Sequence, residues 1–302
     1  MSGAQQVLAL GRPSVPARRV WRLPLPGPDT CWAAAFALPY AALFLVFVLY
    51  PVVYGLWLGS DPALYSDLIS NPIYLTAVAN TLIFVGIGVN LKMALAFMLS
   101  GYFMRKSKWI KALLVVFILP WATPALPAFM SIHWMLNGEW GFLNTVLADV
   151  FGIDGPIWLI DRWLALGADL GAYIWKQLPF WTVIFLAGRM SVPRELYEAA
   201  DVDGAAGFRR FVHVTLPLQA NLYLVCTLLS TIWTFGDFNT INFISGGGPS
   251  MSTEVLATIG IRFAFTLSNP RLGVAAVLSA LPLLVPVMVL LMRKLRTSDV
   301  QL

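Results

Sequence analysis

Glu198-Ala199-Ala200-Asp201-Val202-Asp203-Gly204, followed after a short basic and aromatic run by Leu216-Pro217, is a polar stretch between two long apolar segments. A polar helix former in that position must stand in water, on whichever side of a membrane the charge balance assigns. Pro193 suits a first helical position, and Glu195 and Glu198 favour the positive end of a helix. Leu196, Ala199, Ala200 and Asp203 recur at three- and four-residue spacing, and Gly204 supplies a C-terminal stop. Arg209, Arg210 and Phe211 open a second short amphipathic piece. The spacing predicts a small helix-turn-helix on a membrane surface, with alanines where a partner can approach closely.

The chain on either side explains why a membrane is invoked. Its 302 residues are 59% hydrophobic and 12% charged, whereas a soluble domain carries about twice that charge. The apolar residues come in runs of about twenty, the length that crosses about 30 Å of hydrocarbon. Too little soluble chain is left for a separate enzymatic domain. The net charge of +5 is not a nucleic-acid signal, because the basic residues flank apolar runs. Cys31 and Cys226 lie far apart and suggest neither a disulfide framework nor a metal site.

The expected fold is all-α and polytopic. Residues 1–31 read as a loop-like amino-terminal segment, residues 32–293 as the membrane domain and residues 294–302 as a tail. Six spans are expected: about residues 32–58, 74–103, a third that follows the basic residues at 105–111 and runs to about Leu136, then 164–186, 216–238 and 272–292. Pro120, Pro124 and Pro127 should kink or break the third. A polar connection is expected from Asn137 to Trp163 and a polar stretch from Gly246 to Arg271. The amino-terminal segment, the second-to-third connection, the loop at about residues 188–215 and the tail hold fifteen of the twenty Lys and Arg. Arg162, Arg262 and Arg271 fall on the other side, and Lys92 and Lys176 within spans. The positive-inside rule then makes both termini and the Glu-Ala-Ala loop cytoplasmic.

Catalytic patterns are missing. No Gly-x-x-x-x-Gly-Lys-Ser/Thr phosphate loop occurs, and Gly246-Gly247-Gly248-Pro249 reads as a flexible turn. His133 and His213 sit on different segments and make no zinc or haem motif, and no Gly-x-Ser-x-Gly occurs. Polar residues inside spans are more informative, because lipid penalises them. Thr227, Ser230, Thr234 and Asp237 share one face of the fifth span, with Trp233 beside them. Such a face suits a neutral polyol, which takes hydrogen bonds and an aromatic plane. It equally suits packing against a neighbouring helix. Asn90 and Lys92 in the second span, and Lys176 in the fourth, fit either a structural role or substrate contact.

Glu-Ala-Ala, three residues, Gly, nine residues, Val214, one residue and Leu216-Pro217 resembles the EAA loop of permease subunits in binding-protein-dependent ABC importers. Val214 stands where that family usually has Ile. The flanks from Trp175 to Pro179 and from Phe235 to Pro249 resemble the sugar-permease branch, and the likeness runs from Trp32 onward. The resemblance implies a type I importer permease fold in the cytoplasmic (inner) membrane of a prokaryote. It implies docking of a separate ATPase dimer, carrying ATP and Mg, on Glu198, Ala199, Ala200, Asp203 and Gly204. It also implies a second homologous permease chain, an extracytoplasmic solute-binding protein, and no cofactor, metal or catalytic residue in this chain. The substrate would be a sugar or related polyol, with glycerol phosphate and oligosaccharides within the range, passing Ser230, Trp233, Thr234, Asp237 and Trp175. The alternative is an ion-coupled secondary transporter that works without an ATPase, with Asp237 as its embedded carboxylate.

Overall fold

A computed structural model describes residues 28–205 and 207–298. Most of the expected amino-terminal segment, residues 1–27, lies outside the described residues, as do residues 299–302 of the tail. Every regular element among the described residues is a helix. The described residues divide into two compact units, one reaching to Tyr54 and one starting at Gly55. In the first, helix α1 (Trp32–Leu58, running on into the second unit) keeps the large apolar side chains from Trp32 to Tyr54 exposed. That surface suits lipid and not water.

The second unit begins with α2 (Pro62–Ile69) and α3 (Pro72–Phe103). Each starts on a side-chain cap followed by proline. Asp61 accepts from Ala63 N at 3.0 Å, and Asn71 accepts from Ile73 N at 2.9 Å. Next come α4 (Lys108–Ala122), α5 (Ala125–Met135) and α6 (Phe142–Phe151). The 29-residue α7 (Arg162–Met190) follows, its first turn capped by Asp161. The polar stretch of interest forms α8 (Arg194–Val202), which leads through a turn into α9 (Phe208–Leu218) and α10 (Ala220–Phe235). The short α11 (Asn239–Ile244) and α12 (Leu256–Thr266) precede α13 (Pro270–Leu278) and α14 (Leu281–Ser298).

α3 and α7 form the central pair, packed through Val89, Met93, Ala96 and Phe97 against Trp181 and Phe185. A Cβ on Gly88 would stand 2.8 Å from Leu170 and 3.3 Å from Tyr173, so this glycine sets how closely the two helices approach. In lipid no hydrophobic force favours one helix pair over another, so close packing and polar contacts decide the arrangement. A second core joins Ala77 of α3 to Leu256, Ile259 and Phe263 of α12 and to Ala275 and Ala276 of α13.

Three helices are long and apolar enough to cross a membrane: Trp32–Leu58, Pro72–Phe103 and Pro270–Leu295. Two bent pairs raise the number to five, α4 with α5 at 95° and α9 with α10 at 70°. The proline-rich third segment is thus broken, at Thr123-Pro124. Thr123 takes an extended ψ of 144°, as a residue before proline should. α7 reaches about 44 Å at 1.5 Å per residue, but Asp169, Lys176 and Gln177 keep it less apolar than the others.

The stretch from Gly246 to Arg271 differs from the polar connection expected. It contains the apolar α12, with Leu256, Ile259 and Phe263 at helical spacing and buried. Nor is the Gly-Gly-Gly-Pro turn loose. Thr253 donates to Gly248 O at 2.8 Å and Arg262 to Gly246 O at 2.9 Å. Buried Glu254 pairs with Arg262 Nε at 2.6 Å, and Asn80 donates to Glu254 O at 2.8 Å. A buried carboxylate needs a countercharge, and the Arg262 that supplies it also holds Gly246 O, which pins the turn.

Four helical stretches among the described residues contain one widened, π-helical turn: Leu45–Leu49, Phe84–Val89, Phe211–Thr215 and Arg262–Thr266. A turn of this kind admits one residue beyond regular winding.

Candidate functional site

The polar stretch around Glu198 folds as α8 plus a tight turn. Pro193 stands one place before the helix, with φ −55° and ψ 138°. Ala205 N donates to Ala200 O at 2.8 Å and Gly204 N to Asp201 O at 3.1 Å, closing the carbonyl end. Gly204 holds φ +71° with open space around it, so backbone conformation and not crowding requires glycine there. Arg210 then grips Asp201 through both oxygens, at 2.8 and 3.0 Å, tying α9 to α8. Glu198, Ala199, Asp203 and Gly204 are exposed, but Ala200 is buried against its own chain. The alanine pair therefore divides, one facing outward and one inward. No described ion pair engages Glu198 or Asp203. Leu196 and Val202 on α8, and Phe208 at the start of α9, add exposed apolar surface.

One residue that sequence reasoning counted only as a topological charge anchors this region. Arg189, at the end of α7, is buried; its Nε donates to Ser100 Oγ at 2.7 Å and an Nη to Phe97 O at 2.8 Å. Its guanidinium lies 4.6 Å from the Phe97 ring and 5.7 Å from the Phe211 ring. It therefore fastens the ends of α3, α7 and α9 together just where α8 begins. A basic residue at a span end gives no sequence signal that separates this role from a charge flank.

The second region is a polar knot among α3, α7 and α10. Lys92 is fully buried and donates to Tyr173 Oη at 2.6 Å and Gln177 Oε1 at 2.7 Å. The Tyr173 hydroxyl meets Thr234 Oγ1, which in turn donates to Ser230 O at 2.6 Å. Each hydroxyl gives one proton and receives one, so the chain closes without an orphan along this path. Thr227, Ser230 and Thr234 are all buried on this side of α10. Within this chain they face neighbouring helices. Asp237 is half-buried and takes hydrogen bonds from Thr240 Oγ1 at 2.7 Å and Thr240 N at 3.2 Å, at the start of α11.

Trp233 points elsewhere. It is 48% exposed and packs on Phe180 and Trp181, with ring centroids 5.5 and 5.3 Å away. Trp121 of α4, 49% exposed, stacks on Phe180 at 5.3 Å and extends the wall. Trp175 makes none of these ring contacts; it lines a cleft of about 740 Å³ with Thr123, Pro124 and Ser131 beside the α4–α5 break. Between cleft and wall, Lys176 Nζ donates to the carbonyls of Pro120 at 2.6 Å and of Thr123, capping the freed end of α4. Trp121 and Phe180 were missed in the sequence. Each follows a helix-interior proline, Pro120 and Pro179, but only tertiary packing brings them to Trp233.

Known proteins resemble this chain in sequence and fold. Residues 92–296 match the family described as binding-protein-dependent transport system inner membrane component. The sulfoquinovosyl glycerol transport system permease protein SmoG of Agrobacterium fabrum is 31% identical, over 90% of this chain and 92% of its own length. The trehalose/maltose transport system permease protein MalF of Thermococcus litoralis is 30% identical, over 79% of this chain and 84% of its own. The crystal structure of a bacterial ABC transporter that imports the acidic polysaccharide alginate contains a chain of the same fold. It superposes with a TM-score of 0.78 at 19% identity, covering 89% of this chain and 96% of that one.

Proposed function

This chain belongs to the binding-protein-dependent transport system inner membrane components, the permeases of ABC importers, and we propose that it passes a sugar or related polyol across the membrane. The observation that carries the substrate class is the near full-length similarity to permeases named for sulfoquinovosyl glycerol and for trehalose and maltose. The half-exposed aromatic wall of Trp121, Phe180 and Trp233 fits that class, because sugar rings stack on aromatic planes. The relatives give the ion-coupled alternative no support.

The assembled importer needs further chains. A separate ATPase dimer binds α8 through Glu198, Ala199, Asp203 and Gly204, with ATP and Mg held on that dimer. A second permease covers the apolar surface this chain leaves open. A solute-binding protein delivers the substrate; a relative of the same fold has been crystallised with an alginate pentasaccharide-bound periplasmic protein. Reconstitution into liposomes with the co-expressed partners tests this reading. ATP and the binding protein together should drive uptake, and an ion gradient alone should not. Uptake driven by a gradient without ATP would overturn it.

Six spans follow if α7 crosses together with the three apolar helices and the two bent pairs. The Glu198 side is then cytoplasmic. In a Cys31→Ser background, cysteine at Arg209 should react only with reagents reaching the cytoplasm, and cysteine at Asp154 only with external ones. The native Cys226 is buried and should stay silent. Reversed labelling would place the ATPase surface on the wrong side.

The route itself runs past the aromatic wall. Trp233→Ala removes half-exposed rather than core surface, so assembly should survive. Uptake should fall about two- to tenfold, given that aromatic contacts contribute about 0.5–1.5 kcal/mol beyond the area they bury. Basal ATP hydrolysis should stay near normal. Normal uptake in this variant would make the wall a packing surface for the second permease.

A further inference from the structure

A cavity of about 550 Å³ opens between the α3–α4 turn and the α7–α8 turn. Its lining carries Arg105, Lys106, Lys108, Lys111, Arg189 and Arg194, with no carboxylate among the lining residues. Arg189 is committed to Ser100 and Phe97 and forms the rear wall. The other five are exposed, and among the described residues none of them forms an ion pair. So many like charges around one space leave a strong positive potential that a bound anion would relieve.

Apart from Ser107 and Tyr197, the remaining lining is apolar and includes Phe103, Leu114, Leu186 and Met190. From Leu114 this surface continues along α4 into Val115, Val116 and Leu119, all exposed large hydrophobics of a helix in a membrane-spanning bent pair. Trp109, in the first turn of α4 beside Lys108, is also exposed, as suits an aromatic at the headgroup level. A soluble anion needs only the charges. A ligand with an anionic head and hydrocarbon chains uses both parts.

We propose that this basic cavity binds the headgroup of an anionic phospholipid, with its acyl chains along α4. On the orientation proposed above, on which this inference rests, the cavity faces the cytoplasmic leaflet, and a bound lipid would bridge α4 to the base of α8. Lipid composition would then act on the element that couples ATP hydrolysis to transport, through Arg194 and Tyr197 of α8, which also line the space.

The importer, purified with its co-expressed partners and placed in phosphatidylcholine nanodiscs containing graded phosphatidylglycerol, allows retained lipids to be counted by native mass spectrometry. Each basic residue near an anionic lipid surface changes affinity about fivefold. Lys106→Gln, Lys108→Gln and Lys111→Gln together should therefore weaken phosphatidylglycerol binding roughly a hundredfold. The corresponding triple arginine variant should restore it. Lys108→Gln alone, an exposed change with no effect expected on folding, should show the single fivefold step. Wild-type retention by the triple glutamine variant would overturn the proposal, as would equal retention of phosphatidylcholine. Displacement of the lipid by millimolar inorganic phosphate would identify a soluble anion as the occupant and equally overturn it. Nanodiscs present both leaflets, so a reversed orientation would fail the cysteine labelling and leave this measurement unchanged.

Discussion

Gly204→Pro is expected to reduce uptake at least tenfold and to release the ATPase on purification, while the chain still inserts in the membrane. Gly204 holds φ +71°, and its N–H donates to Asp201 O at 3.1 Å. Proline fixes φ near −65° and has no N–H, so it removes both the turn geometry and the bond. Gly204→Ala keeps the donor and strains only the backbone, by about 1–2 kcal/mol; its effect should be clearly smaller. Glu198→Gln separates docking from loop shape. Glu198 is exposed on α8, without an ion pair among the described residues, whereas Asp201 already serves Arg210. Glu198→Gln should therefore uncouple transport without altering the loop, and Asp201→Asn should loosen the loop itself. Normal uptake and ATPase recovery in both Gly204→Pro and Glu198→Gln would dismiss α8 as the docking element.

Tyr173→Phe should cost more stability than Lys92→Met, although lysine carries the charge. Removing the tyrosine hydroxyl leaves the Lys92 ammonium with Gln177 as its remaining acceptor in a site that water does not reach. Losing a hydrogen bond to a buried charged group costs about 1.5–3 kcal/mol. Lys92→Met instead removes the charge together with the cost of burying it, and leaves only neutral acceptors on Tyr173 and Gln177 unmet, which costs less than a stranded charge. Unfolding of the purified chain titrated with dodecyl sulfate compares the two directly. Equal losses, or a larger loss for Lys92→Met, would show that the knot is not organised around the lysine.

The reach of the sequence depended on whether a feature was local. The turn after Ala200 could be read because its chemistry lies within seven residues and only glycine suits φ +71° there. The break at Thr123-Pro124 could be read for the same reason. α12 could not, since Arg262, Asn269 and Arg271 around its end dilute an apolar face that is plain only once Leu256, Ile259 and Phe263 meet α13. The periodicity of Thr227, Ser230 and Thr234 correctly placed them on one face, but left open whether that face met substrate or helix. Thr234 meets Tyr173, 61 residues away in the chain, and through it Lys92 on α3, contacts that no local pattern announces. The outward position of Trp233 was likewise a matter of what α4 and α7 brought to it.

The widened turn at Phe84–Val89 bears on how this chain can change length. A regular helix rotates about 100° per residue. With an extra residue absorbed in that turn, Asn80 before it, Phe84 and Val89 at its two ends and Lys92 and Ala96 after it stay on one buried seam. Loss of one residue inside the turn would restore ordinary winding and keep the seam aligned. The same loss elsewhere in α3 would swing Lys92 away from Tyr173. Single-residue insertions and deletions in this chain therefore have a few permitted addresses inside the spans, the widened turns, and alignment gaps between related permeases should gather there instead of spreading along the helices.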